Sequence, residues 1–438
     1  MGIQRICILT VLLVAGPGLS AQESFTISAA IHKAWRDQSG LKAGRALAEG
    51  KRDEAAGFRA LRLPTLTLQA QGMRTDEPML AFGMKLNQSR INAMDFNPAS
   101  LNRPDPITGF GGSAVVSQPL YAGGRITAAR WAGEYAARAE AATQERREQE
   151  TAMAVVEAYF GAQVAEQALS WAQDTRTWIQ GMEAFVGARV QQGLMLESEL
   201  QRLKAAHAQV DAQEAEVVRQ ARAARSGLGL LTGGAPVEGT LATPLLAEPV
   251  SPSTETHAVR RDVQAADYQA QAASQAAQAA AGSLRPEVGL ELGLGTLRQS
   301  WGQGGNWTWA AVGVKWKVFS APDRSKAQAA NAQARAAQQM NVFKQQQAEH
   351  EVRVAREGVL AAEAKHAAAK AGLVAAEEAR RLREARHREG LTPLTDVLDA
   401  EAAVQGARTL LLQSLYDQRI SRAALDLATG APIEGVTP

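Results

Sequence analysis

The side chains most often used in catalysis and metal binding form no recognisable constellation in this sequence. Patterns for a zinc-binding histidine pair, a phosphate loop or a nucleophilic serine do not occur. Segment 302–305 is rich in glycine but precedes a predicted strand, so it does not predict a phosphate site. The histidines are scattered over predicted helices, without ligand spacing: His32, His207, His257, His350, His366 and His387. The sequence therefore predicts a protein that is not an enzyme, without catalytic residues, metal or cofactor.

One pair of carboxylates has a spacing that allows the two groups to act together. Asp396 and Asp399 are three residues apart in a predicted helix, so their side chains share one helix face. Such a face is commonly just solvated, and acidic residues are also favoured in the first turn of a helix. The residues alone leave open whether this pair has a function.

The acidic pair lies in a segment that occurs twice in the chain. Residues 386–430 align without a gap with residues 189–233, which lie 197 positions earlier. The matching positions are Gly193 and Gly390, Leu194 and Leu391, and the Thr-Gly pairs at 232–233 and 429–430. Each copy reads as a tight turn, a long helix and a glycine stop. The sequence therefore predicts two copies of one unit, with the turns as candidate functional positions.

The N-terminus has the pattern of a secretory signal peptide, residues 1–21. Arg5 precedes a short apolar run, 6–15, which small residues follow up to Ala21, the predicted cleavage position. The run is shorter than the ~20 residues that span a bilayer. The only cysteine, Cys7, lies in this segment, so the mature chain is predicted to lack thiol chemistry. Basic and acidic residues, 47 and 45, are interspersed, which argues against a nucleic-acid partner.

Beyond the signal peptide, long helical patterns alternate with strand patterns. The first repeat is 22–233, with a helix over 25–59, strands 64–72 and 112–121, and long helices meeting in a tip near 193. A linker follows at 234–253. The second repeat is 254–430, with a helix to 283, strands 286–297 and 306–319, long helices with a tip near 390, and a tail, 431–438. Segments 73–111 and 299–305 read as loops.

The strands alternate apolar and polar residues, which is typical of outer-membrane barrel strands, although the alternation of 112–121 is less clean and leaves its facing open. Four strands cannot close a barrel, so a membrane-spanning role requires a dimer with eight strands or a trimer with twelve. The wider barrel is favoured by predicted lumen residues Gln69, Glu291, Lys315 and Lys317. Four of the eight tryptophans cluster at the last strand and suit an aromatic belt at the membrane interface: Trp301, Trp307, Trp309 and Trp316.

Two features allow other interpretations. The loop at 73–111 holds Met73, Met79, Met84 and Met94, for which a role in filling gaps is favoured over a metal site. The long helices are polar with narrow seams of alanine, leucine and valine, which is typical of coiled coils and of a water-filled helical tube. The alternative is a soluble periplasmic coiled-coil scaffold without transport activity, whose strands form a small sheet.

Several segments together resemble the outer membrane efflux proteins of the TolC type. They are the strands opened by Pro64 and Pro286, the strand-to-helix stretch Gln118–Arg125, the two Gly-Leu turns, the two Thr-Gly helix ends and the segment Thr395–Ala400. The resemblance covers nearly the whole mature chain. It implies a mixed α and β membrane protein, in which four strands per subunit build a trimeric 12-stranded β-barrel. A long α-helical coiled-coil barrel continues it.

The resemblance also implies a function and partners. The protein would be a passive exit duct of a tripartite efflux pump or type I secretion system, in the outer membrane of a Gram-negative bacterium and extending into the periplasm. Partners would be two further copies, outer membrane lipid, a periplasmic adaptor (membrane fusion) protein and an inner-membrane transporter. The cargo is not implied.

The resemblance finally implies roles for the repeated segment. The turns at Gly193–Leu194 and Gly390–Leu391 would be the tips where the adaptor docks, and Asp396 and Asp399 would form acidic rings at the closed mouth. The chain departs from the family pattern in one respect. Leu391–Pro393 stands where the best-known member of the family has a basic residue, and Arg386, Arg388 and Glu389 could supply the ion pairs of the gate instead.

Overall fold

A computed structural model describes residues 25–245, 260–300 and 303–436. The predicted signal peptide, part of the predicted linker, the start of the helix predicted from 254, and Trp301 lie outside these residues. The helices are α1 Ile27–Asp37, α2 Ser39–Ala60, α3 Pro78–Asn87, α4 Pro98–Asn102, α5 Arg125–Gln191, α6 Glu197–Leu231, α7 Arg261–Gly282, α8 Ala321–Arg388 and α9 Leu394–Thr429. The strands are β1 Thr65–Thr75, β2 Ile107–Ala122, β3 Glu287–Ser300 and β4 Gln303–Lys315. Within the described residues, no helix is both long and apolar enough to cross a bilayer.

The chain divides into two compact units, and each of them draws on both predicted repeats. Unit 1 contains residues 1–42, 147–258 and 351–438, and unit 2 contains 43–146 and 259–350. Because α5 and α8 are 67 and 68 residues long, each contributes to both units. The predicted repeats therefore describe the order of elements along the chain, whereas the compact units group elements by contact.

Unit 1 has the larger apolar core. The core joins α1, the middle of α5, the end of α6 and the end of α9, and its largest buried side chains are Ile31, Trp35, Val155, Val156, Tyr159, Phe160 and Leu228. The indole of Trp35 donates a 2.9 Å hydrogen bond to the backbone oxygen of Glu148 on α5. The Tyr159 hydroxyl donates to the backbone oxygen of Phe25 (2.6 Å) and accepts from the backbone N–H of Thr243 (3.0 Å). This one side chain ties two irregular segments to α5.

The helices of unit 2 pack through small side chains. Buried alanines lie along α5, α7 and α8, among them Ala128, Ala137, Ala265, Ala266, Ala270, Ala327 and Ala334. Gly133 on α5 faces the ring of Phe58 on α2 so closely that an added Cβ would lie 2.5 Å from a ring carbon. Alanine seams of this kind bury little area per residue, so the prediction of narrow seams is confirmed for this unit.

The four strands form one antiparallel sheet in the order β1-β2-β3-β4. The two central strands, β2 and β3, are separated in the sequence by the helices between residues 122 and 287. Within the described residues, β1 and β4 are edge strands that each pair on one side only. An edge leaves a row of unpaired N–H and C=O groups, which a stable protein must cover or pair.

The register gives the sheet two chemically different faces, because cross-strand partners share a face and neighbours along a strand alternate. The polar face carries Thr65, Thr67, Gln69, Ser113, Ser117, Glu287, Gly289, Glu291, Gly293, Gly295, Gly313 and Lys315, together with Val115, Trp307, Trp309 and Ala311. The apolar face carries Leu66, Leu68, Ala70, Ala114, Val116, Leu290, Leu292, Leu294, Ala310, Val312 and Val314, together with the polar Gln118, Thr296 and Thr308. The predicted alternation is therefore confirmed, and the pairing also fixes the facing of β2.

Three predicted boundaries are wrong. The helix predicted over 25–59 is broken at Gln38, whose extended backbone (φ −66°, ψ 124°) separates α1 from α2. The loop predicted at 299–305 is much shorter, because Ser300 and Gln303 are already cross-strand partners. The last strand ends at Lys315 instead of 319, so Trp316 and Lys317 follow it.

The structure also corrects the long loop predicted at 73–111. β1 continues to Thr75 and β2 begins at Ile107. Between them, residues 76–106 form the β1–β2 insert, which contains α3, a 3₁₀ helix at Ala93–Phe96 and α4. These elements are too short to produce a sustained helical period. The 3₁₀ helix and α4 have side-chain caps, such as that of Asn97, which accepts from the Ala99 N–H (2.9 Å), whereas α3 has none.

Replacing Tyr159 by phenylalanine should destabilise unit 1. The change leaves the Thr243 N–H without its partner and removes one of the two hydrogen bonds to the Phe25 carbonyl, which keeps that from the Ala242 N–H (3.1 Å). The loss costs about 1–3 kcal/mol. We expect urea unfolding in detergent, followed by helical circular dichroism, to show this loss. Tyr135→Phe is the matched control, since its hydroxyl has no hydrogen-bond partner within the described chain. Equal midpoints for the two variants would contradict the assignment.

Candidate functional site

The first predicted tip is a tight turn between α5 and α6. Gly193 has a left-handed backbone, φ +71°. Its N–H donates to the Val190 oxygen and the Leu194 N–H donates to the Arg189 oxygen, both at 2.9 Å. These two bonds are those of a Schellman motif, which satisfies the last carbonyls of a helix. The left-handed conformation explains the glycine, because a Cβ there is unfavourable.

The second predicted tip has the same geometry between α8 and α9. Gly390 has φ +75°, its N–H donates to the His387 oxygen, and the Leu391 N–H donates to the Arg386 oxygen, both at 2.9 Å. The two hydrogen bonds thus recur at an offset of 197 positions, as the alignment of the segments predicts. An added Cβ on Gly193 or Gly390 would meet nothing within 4 Å, so the turns need glycine for backbone conformation alone.

Each turn carries an exposed leucine. In a Schellman motif the residue after the glycine commonly packs back on the helix. Here Leu194 and Leu391 are instead 62% and 70% exposed, and Leu196 is also exposed. Since large apolar side chains exposed together at a turn mark an interaction surface, the two tips are candidate docking positions.

A second apolar cluster in unit 1 lies next to the two tips. It is formed by Ile179, Met182 and Val186 of α5, Leu203 of α6, and Leu394 and Val397 of α9. Arg388 of α8 lies over the ring of Phe185 on α5, 5.9 Å from its centroid, and Arg189 lies over the same ring at 5.4 Å. The four long helices α5, α6, α8 and α9 are therefore packed together next to the two turns.

The second tip contains a buried histidine that the analysis of the sequence did not single out. His387 is buried in the last turn of α8, and its Nδ1 lies 2.9 Å from the backbone oxygen of Thr392, beyond the turn. The equivalent position of the first tip holds Val190. A comparison of the two aligned segments, position by position, would have detected this difference. The imidazole fixes the path of the chain from α8 into α9.

Asp396 and Asp399 lie on the first two turns of α9. Asp396 is half-buried and Asp399 is exposed, while Leu394 before them and Val397 between them belong to the apolar cluster. The backbone oxygen of Asp396 accepts a 3.2 Å hydrogen bond from Nη1 of Arg383 on α8. In the described part of the chain, neither carboxylate forms an ion pair.

Of the basic residues considered for the gate, Arg388 pairs within its own helix with Glu384 (2.6 Å). Within one subunit, Arg388 therefore does not pair with either aspartate. In the part of the chain that the structure describes, the carboxylates of Asp396 and Asp399 remain as two charges without an ion-pair partner on one side of α9.

A polar network missed at the sequence level lies further along the same helices. Glu401 of α9 is buried and pairs with Arg380 of α8 at 2.6 Å. Gln405 donates to Glu401 and to the hydroxyl of Thr175 on α5. Breaking a buried pair leaves an unpaired charge in a low dielectric, which is strongly destabilising. The network therefore holds α5, α8 and α9 in one arrangement. The four-residue spacing of Glu401 and Gln405 was its only sequence signal.

The predicted lumen residues divide into two groups. Gln69, Glu291 and Lys315 all lie on the polar face of the sheet. Lys317 lies beyond the end of β4 and forms a 3.0 Å ion pair with Asp323 in the first turn of α8. The structure therefore brings the first three to one surface and places the fourth at the junction between strand and helix.

The prediction for the tryptophans requires a correction. Trp309 is the cross-strand partner of Gly293, and Trp307 that of Gly295, so both lie on the polar face with Glu291 and Lys315. A lumen position for the charged residues and a lipid-facing position for these tryptophans cannot both be right. The glycines explain the arrangement, since an added Cβ on either would lie within 2.5 Å of the indole opposite. Trp316 donates its N–H to the Leu284 oxygen (3.1 Å) beyond the strand.

The described part of the chain indicates no metal site. Among the described residues, histidine, cysteine, aspartate and glutamate form no group of three or more that could hold an ion. Of the four methionines predicted to fill gaps, Met84 is buried, whereas Met73, Met79 and Met94 are exposed.

Replacing Gly390 by alanine should loosen the second tip. The left-handed backbone costs a residue with a Cβ about 1–2 kcal/mol, and no neighbouring atom offsets that cost. We expect amide hydrogen exchange of residues 386–394 to become about 5- to 30-fold faster. Gly372→Ala is the control, because this helical glycine also has open space around it and alanine should stabilise the helix there. Unchanged exchange at the tip would refute the strain argument.

Comparison with known proteins extends these observations. A profile of the outer membrane efflux protein family matches residues 30–234 and 254–431. Among solved structures, VceC of Vibrio cholerae is 19% identical with a TM-score of 0.79, over 93% of this chain and 96% of that chain. CmeC of Campylobacter jejuni is 16% identical with a TM-score of 0.80, over 94% of this chain and 87% of that chain.

A structure of CusC is 18% identical with a TM-score of 0.80, over 96% of both chains. No curated protein matches the chain. At these identities the solved structures show the fold, and they confirm the predicted fold class of long helices with a four-stranded sheet. The family profile covers most of the sequence, and it shows that this chain belongs to the outer membrane efflux protein family of the bacterial outer membrane.

Proposed function

We propose that the protein is the passive exit duct of a tripartite efflux pump or type I secretion system. Three copies would contribute four strands each to a 12-stranded barrel in outer membrane lipid, and the long helices would continue it into the periplasm. An inner-membrane transporter supplies the energy, and a periplasmic adaptor connects the transporter to the duct. Membership of the efflux family supports the general role, and the following features of the chain support its details.

The strongest support for the proposal is the four-stranded sheet, which has one apolar face, one polar face and, within the described chain, two unpaired edges. Its apolar face suits hydrocarbon, and its polar face, with Gln69, Glu291 and Lys315, suits a water-filled lumen. The exposed edges of β1 and β4 cannot remain unpaired in lipid, where every backbone group needs a partner. Pairing β4 of one copy with β1 of the next removes both edges, and twelve strands leave a lumen wide enough for water.

The tips support adaptor docking. Two turns of identical geometry present Leu194 and Leu391, and the apolar cluster below them holds the turns in place. A helical hairpin of an adaptor would pack its apolar ridge against such leucines. Gly193 and Gly390 allow the backbone to turn, and in this way they position the leucines that follow them.

Asp396 and Asp399 support a cation-selective constriction. The acidic pair belongs to the second tip only, since the first tip has a carboxylate, Glu199, at the position of Asp396 but Arg202 at the position of Asp399. Three copies would bring six carboxylates to two levels of the mouth, and rings of carboxylates favour cations over anions. The second repeat would therefore narrow the mouth, while the first would leave it open.

Fractionation of cells tests the duct against the scaffold alternative. A duct should sediment with the outer membrane, require detergent for extraction and form a trimer by light scattering. The purified trimer should also produce discrete current steps in a planar lipid bilayer. Recovery of the protein in the periplasmic extract without detergent would reject the duct and favour the scaffold.

Neutralising the acidic pair should weaken block of the channel by divalent cations. For Asp396→Asn with Asp399→Asn we expect the half-blocking concentration to rise about tenfold, equivalent to ~1.4 kcal/mol of lost attraction. The measurement is single-channel current in a planar bilayer. The control is Glu197→Gln with Glu199→Gln, the two acidic residues in the first turn of α6 at the other tip. Equal block in both variants would refute the constriction.

A further inference from the structure

The β1–β2 insert lies on the polar face of the sheet. It stands at the end where β1 joins β2 and β3 joins β4, which is called here the loop end. Ala81 and Met84 of α3 pack against Ile107 and Leu297, two residues whose side chains belong to the polar face at this end. The Met84 side chain also covers Gly109, where an added Cβ would lie 2.5 Å from its methyl carbon. The insert therefore folds over the face with Gln69, Glu291 and Lys315.

A buried amide and a close backbone contact fix the insert there. Gln88 is buried at the end of α3, and its Nε2 donates to the backbone oxygen of Thr108 on β2 (3.0 Å). Gly305 of β4 approaches the Asn87 carbonyl so closely that an added Cβ would lie 2.3 Å from its oxygen. The insert is thus held at both β2 and β4, across the width of the sheet.

The insert is also braced internally. Lys85 of α3 forms a 2.8 Å ion pair with Asp95, and the other carboxylate oxygen of Asp95 accepts from the Asn92 N–H (2.9 Å). The rings of Phe82 and Phe96 meet edge to face, with centroids 5.9 Å apart. These contacts make residues 76–106 a folded element with a fixed orientation.

The α3 helix is apolar on both sides. Ala81, Met84 and Gln88 are buried against the sheet, and the opposite side carries Met79 and Leu86, which are 78% and 57% exposed. These two are seven residues apart and so lie on the same helix face. Large apolar side chains exposed together on one helix face mark an interaction surface, so we expect a second surface to cover Met79 and Leu86 in the assembled protein.

We propose that the covering surface is the same α3 helix of the other two copies, so that three helices close the loop end of the lumen as an apolar plug. This inference rests on the proposed function as a trimeric duct. Lipid does not cover the helix, because α3 lies on the polar face and lipid contacts the apolar face. An element that projects from the lumen face of each copy of a three-fold ring meets its own counterparts near the axis. An apolar constriction of this kind excludes water and gates the pore by dewetting, so each current step would require the three helices to separate.

Cysteine cross-linking tests the plug directly. The variant is full-length Leu86→Cys, purified as a trimer in detergent, with removal of the segment containing Cys7 verified by mass spectrometry. A short bis-maleimide should join the thiols of neighbouring copies, giving covalent dimers and trimers on a denaturing gel. Met79→Cys, on the same face of α3, should give the same products and serves as the second variant if Leu86→Cys does not assemble.

Leu68→Cys is the matched control. Leu68 is 73% exposed but lies on the apolar face of β1. Identical positions of neighbouring copies are four strands apart in a 12-stranded barrel, about 19 Å, which exceeds the reach of the short linker. Leu68→Cys should therefore react with a single maleimide but remain monomeric on the gel.

The outcomes separate the plug from the duct. If the wild-type protein is trimeric and conducts, but both α3 variants react with maleimide without cross-linking, the plug is wrong and the duct stands. Cross-linking of Leu68→Cys to the same extent as Leu86→Cys would also overturn the plug. A wild-type protein that is neither trimeric nor conducting would overturn the duct and the plug together.

Discussion

The antiparallel pairing of β2 with β3 is the interaction on which the rest of the structure depends. It joins two strands that are separated in sequence by long helices, and thereby closes a non-local contact of high entropic cost. The pairing sets which residues share a face of the sheet, and so it separates an apolar surface from a polar one. It also leaves β1 and β4 as open edges, which makes a single copy unsuited to a bilayer.

The same pairing forces close contacts where the strands turn into helices. Gly123 and Gly282 approach each other so closely that a Cβ on Gly123 would lie 2.5 Å from the Gly282 oxygen. Arg125, at the start of α5, pairs with Glu287 at the start of β3 (3.2 Å). The ends of α5, α7 and β3 are thus fixed at one place by small residues and one ion pair.

The two tips have the same backbone geometry but differ in the chemistry of the surrounding side chains. Both turns use the same glycine conformation and the same pair of hydrogen bonds. Their surroundings differ at His387, where the first copy has Val190, and at Asp399, where the first copy has Arg202. The backbone geometry is the same in both tips because few residue types other than glycine adopt the left-handed conformation of the turn. Side chains around it are free to diverge, which is compatible with the roles in docking and gating that we propose for the two tips.

The sequence by itself determined the elements whose signals are local and sustained: the long helices, the strand alternation, and the glycine turns at 193 and 390. The tertiary structure alone decided features that depend on pairing or on short elements. Trp307 and Trp309 lie beside Glu291 because register, which is non-local, selects the face. The helices of residues 76–106 were missed because segments shorter than three turns have no reliable period and depend on the sheet that they cover. The burial of His387 and Glu401 likewise required the packing of helices that are distant in sequence.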